Sequence, residues 1–126
     1  MFDTKYVAKC IESQDVWRGK GTYMGDWYLD NNKQTMDVVS SEKINDIIFS
    51  DKNYIYIPDL DDIMEFINLH IEARGIKASD KEVIIKYADG KWNASIKYGD
   101  DITYGNGDSM HEVLLGCVFQ MMLINE

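Results

Sequence analysis

The segment EVIIKYADGKWNASIKY, residues 82–98, decides the fold. It contains two short runs in which apolar and polar residues alternate, Glu82–Tyr87 and Trp92–Tyr98, and Asp89-Gly90 separates them. An Asp-Gly pair between two such runs is a strong β-hairpin signal, because a type I′ turn requires positive φ at both central residues. The segment therefore predicts an antiparallel hairpin with a two-residue turn.

A two-residue turn also determines which side chains share a face of this hairpin. One face should carry three cross-strand pairs, Tyr87–Trp92, Ile85–Ala94 and Val83–Ile96. This apolar face must be covered, and we expect the helix Met110–Ile124 to cover it. Ser109 and Glu112 fit a capping box at the start of that helix. From Val113 onward the helix is apolar nearly all round, which indicates burial between layers or a subunit interface.

Two segments before this hairpin are predicted to be helices. Residues 3–13 repeat apolar side chains at helical spacing, which indicates a short amphipathic helix near the N-terminus. After Pro58, an apolar stripe that runs from Leu60 to Ile71 predicts a middle helix. Gly75 is a natural stop for this helix, because glycine readily adopts the left-handed conformation of a C-terminal cap.

The remaining segments are predicted to be strands and their connections. A second hairpin is expected from Asp26–Leu29 and Thr35–Val39, with Asn31-Asn32 at its tip because Asn tolerates positive φ. Tyr54–Ile57 is β-branched and aromatic, which predicts a strand. Lys43–Phe49 is apolar enough to be either a short helix or a strand, and both alternatives stay open.

Two glycine-containing segments are predicted to be connectors. Arg18–Thr22 superficially suggests a phosphate loop, but it lacks the required spacing and no apolar strand precedes it. Ile102–Gly107 is predicted to be a loop that links a strand to the last helix. Together the elements predict an α+β fold in a single domain, residues 1–126. An antiparallel sheet of two hairpins would pack with an N-terminal, a middle and an apolar C-terminal helix.

The charge of the chain bears on its partners. Thirteen Lys and Arg residues against 22 Asp and Glu residues give a net charge of −9. Direct nucleic-acid binding is therefore not expected, because phosphate contacts need clustered Lys and Arg. The same charge favours a basic partner, including a protein that itself binds nucleic acid, although solubility alone is an alternative explanation. Neither a secretory signal nor a membrane-spanning run is expected, which predicts a cytoplasmic protein.

The middle helix carries the candidate binding surface. A polar stripe lies beside its core stripe and consists of Asp61, Glu65, Asn68 and Glu72. Phe66 and Leu69 lie outside the core stripe, so they would supply apolar anchors if exposed. The predicted partner-binding residues are Asp61, Asp62, Glu65, Phe66, Leu69 and Glu72. A solvated helix face is the alternative interpretation of the same pattern.

No set of residues predicts catalysis. Cys10 and Cys117 fall within apolar helical patterns, so we expect buried free thiols with raised pKa values. His70 and His111 have no Cys or second His at metal-ligand spacing. Capping and the helix dipole explain the acidic cluster at the start of the middle helix. The chain is therefore predicted not to be an enzyme, and no metal or cofactor is expected.

Several local patterns carry a family resemblance. They are Gly25-Asp26-Trp27-Tyr28, the strand–Pro–helix run Tyr54–Ile63, the strand Trp92–Ile96, the turn Tyr104–Ser109 and the helix Glu112–Met122. They resemble the small ABA-type α/β sandwich domain found in many short phage and prophage proteins. The resemblance covers most of residues 25–124 and implies an origin in a mobile element. Its motifs carry no catalytic residue, and the middle helix is more acidic than the family pattern.

These observations lead to one preferred function and two alternatives. The preferred one is a phage- or prophage-encoded non-enzymatic binding protein in the host cytoplasm. It would inhibit host defence, as anti-CRISPR proteins do, by placing its acidic face in a basic groove of a host protein. The first alternative is a small-ligand or nucleotide-binding protein with its site near Trp27, Tyr28 and residues 99–108. The second is a phage assembly or regulatory factor that forms a homodimer through the C-terminal helix.

Overall fold

The computed structural model describes residues 2–17, 20–49 and 53–124. Within these ranges the chain forms three α-helices and two three-stranded antiparallel sheets, which confirms the predicted α+β class. The predicted hairpins belong to different sheets, and each sheet gains a third strand. The chain divides into two compact units, Met1–Asp59 and Leu60–Glu126, which are described in turn.

The first unit combines a helix with a sheet of short strands. Its elements are α1 (Thr4–Glu12), a 3₁₀ turn (Gln14–Trp17), β1 (Trp27–Asp30), β2 (Thr35–Val38) and β3 (Tyr54–Ile57). Asp3 caps α1, and its carboxylate accepts hydrogen bonds from the backbone N–H groups of Lys5 and Tyr6. β1 lies between β2 and β3, so the expected hairpin and the expected strand Tyr54–Ile57 are both present.

Two connections in this unit have a different form from the one predicted. At the tip of the first hairpin, the residue with positive φ is Gln34 rather than Asn31 or Asn32. Asp30 stabilises this longer loop, since its Oδ1 accepts from the backbone N–H groups of Asn32 and Lys33. The segment 43–49 is neither helix nor strand but a series of turns, and its Ile47 and Phe49 side chains are buried.

The connector predicted at 18–22 lies only partly within the described residues, because positions 18 and 19 fall outside them. Residues 20–22 belong to no helix or strand. The hydroxyl of Thr22 donates to the carbonyl of Ile47 at 2.6 Å, which ties this connector to the turns at 43–49.

The second unit contains the sheet that decides the fold. Its elements are α2 (Leu60–Ala73), a 3₁₀ turn (Ala78–Asp80), β4 (Glu82–Ala88), β5 (Lys91–Tyr98), β6 (Asp101–Gly107) and α3 (Met110–Ile124). The register of β4 with β5 is the one predicted, with Tyr87 opposite Trp92 and Val83 opposite Ile96. Asp89 and Gly90 have φ values of 55° and 77°, as the type I′ turn requires.

The segment predicted as a loop at Ile102–Gly107 is instead part of strand β6, so that prediction was wrong. Gly99 and Asp100 form a second two-residue turn, with Gly99 at φ 59°, and Tyr98 pairs with Asp101. Gly105 and Gly107 lower the β-propensity of this segment, and for this reason the sequence pattern did not indicate a strand.

The packing of α3, which contacts β5, β6 and α2, explains those glycines. A Cβ atom on Gly105 would lie 2.0 Å from the carbonyl oxygen of Val113 in α3. Gly116 of α3 faces Gly105, since a Cβ atom on it would lie 3.4 Å from the Gly105 Cα. The helix and the strand therefore approach each other through two residues that have no side chain.

The ends of both helices of this unit follow from local sequence. Gly75, at φ 80°, ends α2, and the N–H of Ile76 donates to the Ile71 carbonyl in a Schellman motif. At the start of α3, Ser109 Oγ accepts from the Glu112 N–H at 3.2 Å. The Glu112 carboxylate completes the cap by accepting from the N–H of Asp108 at 2.6 Å. In the part of the chain that the structure describes, no helix is long and apolar enough to cross a membrane.

Candidate protein-binding surface

All six predicted binding residues lie on α2, and the structure separates them into two groups. Four are exposed and lie within an arc of about 80° on the helix surface, at about 100° per residue. We call these four the acidic stripe: Asp61, Glu65, Leu69 and Glu72. The stripe is about 16 Å long, from the rise of about 1.5 Å per residue. Asn68, which the sequence placed beside these residues, is half-buried.

The other two predicted residues, Asp62 and Phe66, are half-buried on the flank of α2. The ring of Phe66 stacks on the imidazole of His70, with 6.3 Å between ring centroids. Phe66 is therefore engaged in packing rather than available as an exposed anchor. Leu69 is 59% exposed and is the apolar residue that the stripe presents to solvent.

The orientation of the stripe is fixed by the opposite face of α2. Three isoleucines on that face, Ile63, Ile67 and Ile71, are fully buried. At the C-terminal end of the helix, Arg74 forms an ion pair with Asp101, with 2.7 Å between Nη1 and Oδ2. Its guanidinium carbon also lies 5.6 Å from the centre of the Tyr98 ring. These contacts hold the end of α2 against the turn between β5 and β6.

The electrostatic surroundings of α2 leave the stripe acidic. Desolvation lowers the pKa of His70, and the charge of Arg74 lowers it further, so this histidine adds no positive charge at neutral pH. Arg74 itself is paired with Asp101. Within residues 2–17, 20–49 and 53–124, no ion pair involves Asp61, Glu65 or Glu72. The three carboxylates can therefore meet a cationic partner without first breaking an internal ion pair.

The acidic stripe continues into an open groove beyond the end of α2, which the sequence did not predict. The groove has a volume of about 580 Å³ and is lined by Glu72, Gly75, Ile76, Lys77, Ala78 and Ser79. Ile76 packs closely on the turn between β5 and β6, since a Cβ atom on Gly99 would lie 2.8 Å from Ile76 Cδ1. Glu72 belongs to both features, so a partner on the stripe would also reach the groove.

The potential nucleophiles are buried. Burial raises the pKa of the Cys10 thiol to about 12 and that of the Cys117 thiol to about 11. Both are free thiols, as the sequence predicted. Among the described residues, no three His, Cys, Asp or Glu side chains are grouped closely enough to hold a metal ion.

The residues predicted for a small-ligand site are engaged in local packing. Tyr28 is 4% exposed and meets Tyr54 edge-on, with 5.9 Å between ring centroids. Trp27 is half-buried and packs edge-on against Phe2 at 5.6 Å. The third component, residues 99–108, forms a tight turn and strand β6 rather than an open loop.

A cation held by aromatic rings in the first unit was missed by sequence reasoning. The ammonium group of Lys20 lies 2.8 Å from Asp26 Oδ2 and 4.7 Å from the ring centres of both Tyr23 and Tyr56. The ring centre of Phe49 lies 5.7 Å from the same ammonium group. Lys20 and Asp26 are only six residues apart in the sequence, but two of the three rings, those of Phe49 and Tyr56, are distant in sequence. No local pattern could have identified this arrangement, which we call the Lys20 clasp.

Comparisons of this chain with protein-family models, with curated proteins and with solved structures found no match.

Proposed function

We propose that this protein is a phage- or prophage-encoded, non-enzymatic binding protein that acts in the cytoplasm of the host cell. Its acidic stripe would occupy a basic surface of a host protein and exclude nucleic acid from it, in the manner of an anti-CRISPR inhibitor. The phage origin rests on the resemblance of residues 25–124. The binding mode rests on one observation, which is the exposure of Leu69 among three carboxylates that form no ion pair with any other described residue.

Two physical effects would contribute to such an interface. The net charge of −9 would attract a basic protein and accelerate the encounter, and salt would screen this attraction. Leu69 would supply apolar contact at the centre of the stripe, where a side chain that becomes buried can contribute more than about 1 kcal/mol. Exposed ion pairs contribute about 0–1 kcal/mol each, so the carboxylates would set orientation and rate more than affinity.

The proposal is tested with a charge-reversed stripe, Asp61→Lys, Glu65→Lys and Glu72→Lys in one variant. The immobilised protein is incubated with lysate of a bacterial host at low and at high salt, and retained proteins are identified by mass spectrometry. We expect the unmodified chain to retain a basic, nucleic-acid-binding protein at low salt and to lose it at high salt. The reversed variant should retain little of that protein under either condition.

A matched control carries the same change in net charge elsewhere. Glu12→Lys, Glu42→Lys and Asp46→Lys replace three exposed acidic residues of the first unit, and this variant should bind as the unmodified chain does. Equal loss in both variants would mean that net charge alone governs binding. Equal retention in both would overturn the acidic-stripe mechanism.

Inhibition is tested with the retained partner in purified form. Increasing amounts of the unmodified chain should displace nucleic acid from that partner in a mobility-shift assay, and Leu69→Ala should weaken the displacement by about tenfold. A partner that binds this chain and its nucleic acid together would exclude the inhibitor function while leaving the binding function intact.

A further inference from the structure

Among the described residues, no side chain bonds to the outer edge of β4, whereas a glutamine side chain bonds to the outer edge of β3 and another to that of β6. Gln14 bonds to both the N–H and the carbonyl of Tyr56 in β3, at 3.0 and 2.9 Å. Gln120 Oε1 accepts from the N–H of Tyr104 in β6 at 2.5 Å. β4 is the other edge strand of its sheet and extends over Glu82–Ala88.

The hairpin geometry shows which backbone groups this edge presents. In a two-residue hairpin, the residues flanking the turn exchange backbone hydrogen bonds, so Ala88 bonds with Lys91. Alternation along the strand then directs the N–H and carbonyl groups of Val83, Ile85 and Tyr87 away from β5. Among the described residues, no backbone hydrogen bond outside the β4–β5 hairpin involves these three. They form an unpaired template for another strand.

The side chains on this edge are apolar in the middle and oppositely charged on either side. Ile84 is 42% exposed, and Glu82 and Lys86 flank it at equal distances along the same face. On the other face, Val83 and Ile85 are half-buried and Tyr87 is 62% exposed. Along this face the order is acidic, apolar, basic, at Glu82, Ile84 and Lys86. Two copies of the strand in antiparallel orientation would therefore place each acidic residue opposite a basic one.

We propose that β4 pairs in antiparallel orientation with β4 of a second copy of this chain, so that two three-stranded sheets become one sheet of six strands. Ile84 lies on the two-fold axis and faces Ile84 of the second copy. Glu82 of each copy then faces Lys86 of the other, which gives two identical opposite-charge pairs. Val83 faces Ile85 of the other copy on the opposite face of the sheet.

Backbone alternation and charge together select this register. Outward-directed groups occur at every second residue, so Ile84 faces Ile84 between two hydrogen-bonded pairs, where cross-strand side chains approach most closely. The neighbouring register in one direction places Lys86 opposite Ile84, and in the other direction it places Glu82 opposite Ile84. The next registers place Lys86 opposite Lys86 or Glu82 opposite Glu82, and like charges directly opposite each other are unfavourable.

Within its own chain, Glu82 already faces Lys97 of β5. In the dimer the carboxylate would lie between two lysines, Lys97 of the same copy and Lys86 of the other. The proposed surface lies on β4 and the acidic stripe on α2, so the dimer does not depend on the proposed function.

The test uses the full chain and two charge-reversed variants, Glu82→Lys and Lys86→Glu. Sedimentation equilibrium from about 1 µM to about 1 mM should show a dimer for the unmodified chain and at least about tenfold weaker association for each variant. In a dimer of the Glu82→Lys variant, lysines would face each other at both pairs, and in a dimer of the Lys86→Glu variant, glutamates would. Mixing the two variants should restore dimerisation, because both pairs in the mixed dimer again join opposite charges.

Restoration in the mixture also shows that each variant is folded. Lys33→Glu provides a control, since Lys33 is exposed in the first unit and its replacement should leave association unchanged. An unmodified chain that stays monomeric up to about 1 mM would overturn the proposal, and Glu82 and Lys86 would then be charges that protect the edge from pairing. A dimer that neither variant weakens would also overturn it, because its interface would lie elsewhere.

Discussion

Replacement of Gly105 by alanine should separate α3 from the sheet. The added Cβ atom would lie 2.0 Å from the Val113 carbonyl oxygen and 3.1 Å from the Cys117 nitrogen. Both obstacles are backbone atoms of α3, so no side-chain rotation can relieve the overlap. The helix would have to move by more than about 1 Å to restore an ordinary contact.

The magnitude follows from what this movement disturbs. Five fully buried side chains of α3 would lose close contacts: Val113, Leu115, Cys117, Val118 and Met121. Overpacking of a core costs about 1–3 kcal/mol when side chains can adjust. Because the obstacle here is backbone, we expect a loss of about 3 kcal/mol in the free energy of unfolding. That loss corresponds to a decrease of roughly 12 °C in Tm for a domain of this size.

Urea denaturation followed by circular dichroism measures this loss, and Gly116→Ala supplies the matched control. A Cβ atom on Gly116 would lie 3.4 Å from the Gly105 Cα, which is an ordinary contact. In a helix interior, alanine is more favourable than glycine by up to about 1 kcal/mol. The Gly116 variant should therefore stay within about 1 kcal/mol of the unmodified chain. If Gly105→Ala is as stable as Gly116→Ala, the close approach of α3 to β6 is refuted.

Three further outcomes follow from the described contacts. Lys20→Met should lower the free energy of unfolding by about 1–3 kcal/mol, because the Asp26 side chain is only 11% exposed and would lose its cation. Lys20→Arg keeps a cation beside Asp26 and should lower the free energy of unfolding less. Cys10 and Cys117 should react with a thiol reagent far more slowly in the native protein than in urea, and rapid native labelling would contradict their burial. Because the pKa of His70 is lowered in the folded state, the unfolded chain binds its proton more readily. Stability should therefore fall as pH drops below about 6.5, and His70→Gln should reduce this dependence in denaturation at successive pH values.

The parts of the fold that local signals specify could be predicted from the sequence. The Asp89-Gly90 turn determined the register of β4 with β5, because a two-residue turn leaves no freedom in pairing. The stop at Gly75 was correct for a similar reason, since a left-handed residue ends a helix within one position. By contrast, the glycines of β6 allow α3 to approach closely, and they lower the strand propensity of the segment. Only this tertiary contact explains why glycine is present in the strand.

The candidate site was predictable to a smaller extent. Helical periodicity placed Asp61, Glu65, Leu69 and Glu72 outside the core stripe, and all four are exposed. The same periodicity could not show that Phe66 would pack on His70, because both lie at the border of the core stripe. The Lys20 clasp depends on chain segments far apart in sequence, so no local pattern contained it.

The Gln120 contact has a consequence for how far assembly can proceed. The Gln120 side chain accepts a hydrogen bond from an outward N–H group of β6, at the edge of the sheet opposite β4. A sheet that joins through β4 therefore has, at each outer end, a β6 strand with one outward N–H already bonded, which would weaken further pairing through that strand. One amide side chain in each copy would thus disfavour extension of the dimer through β6.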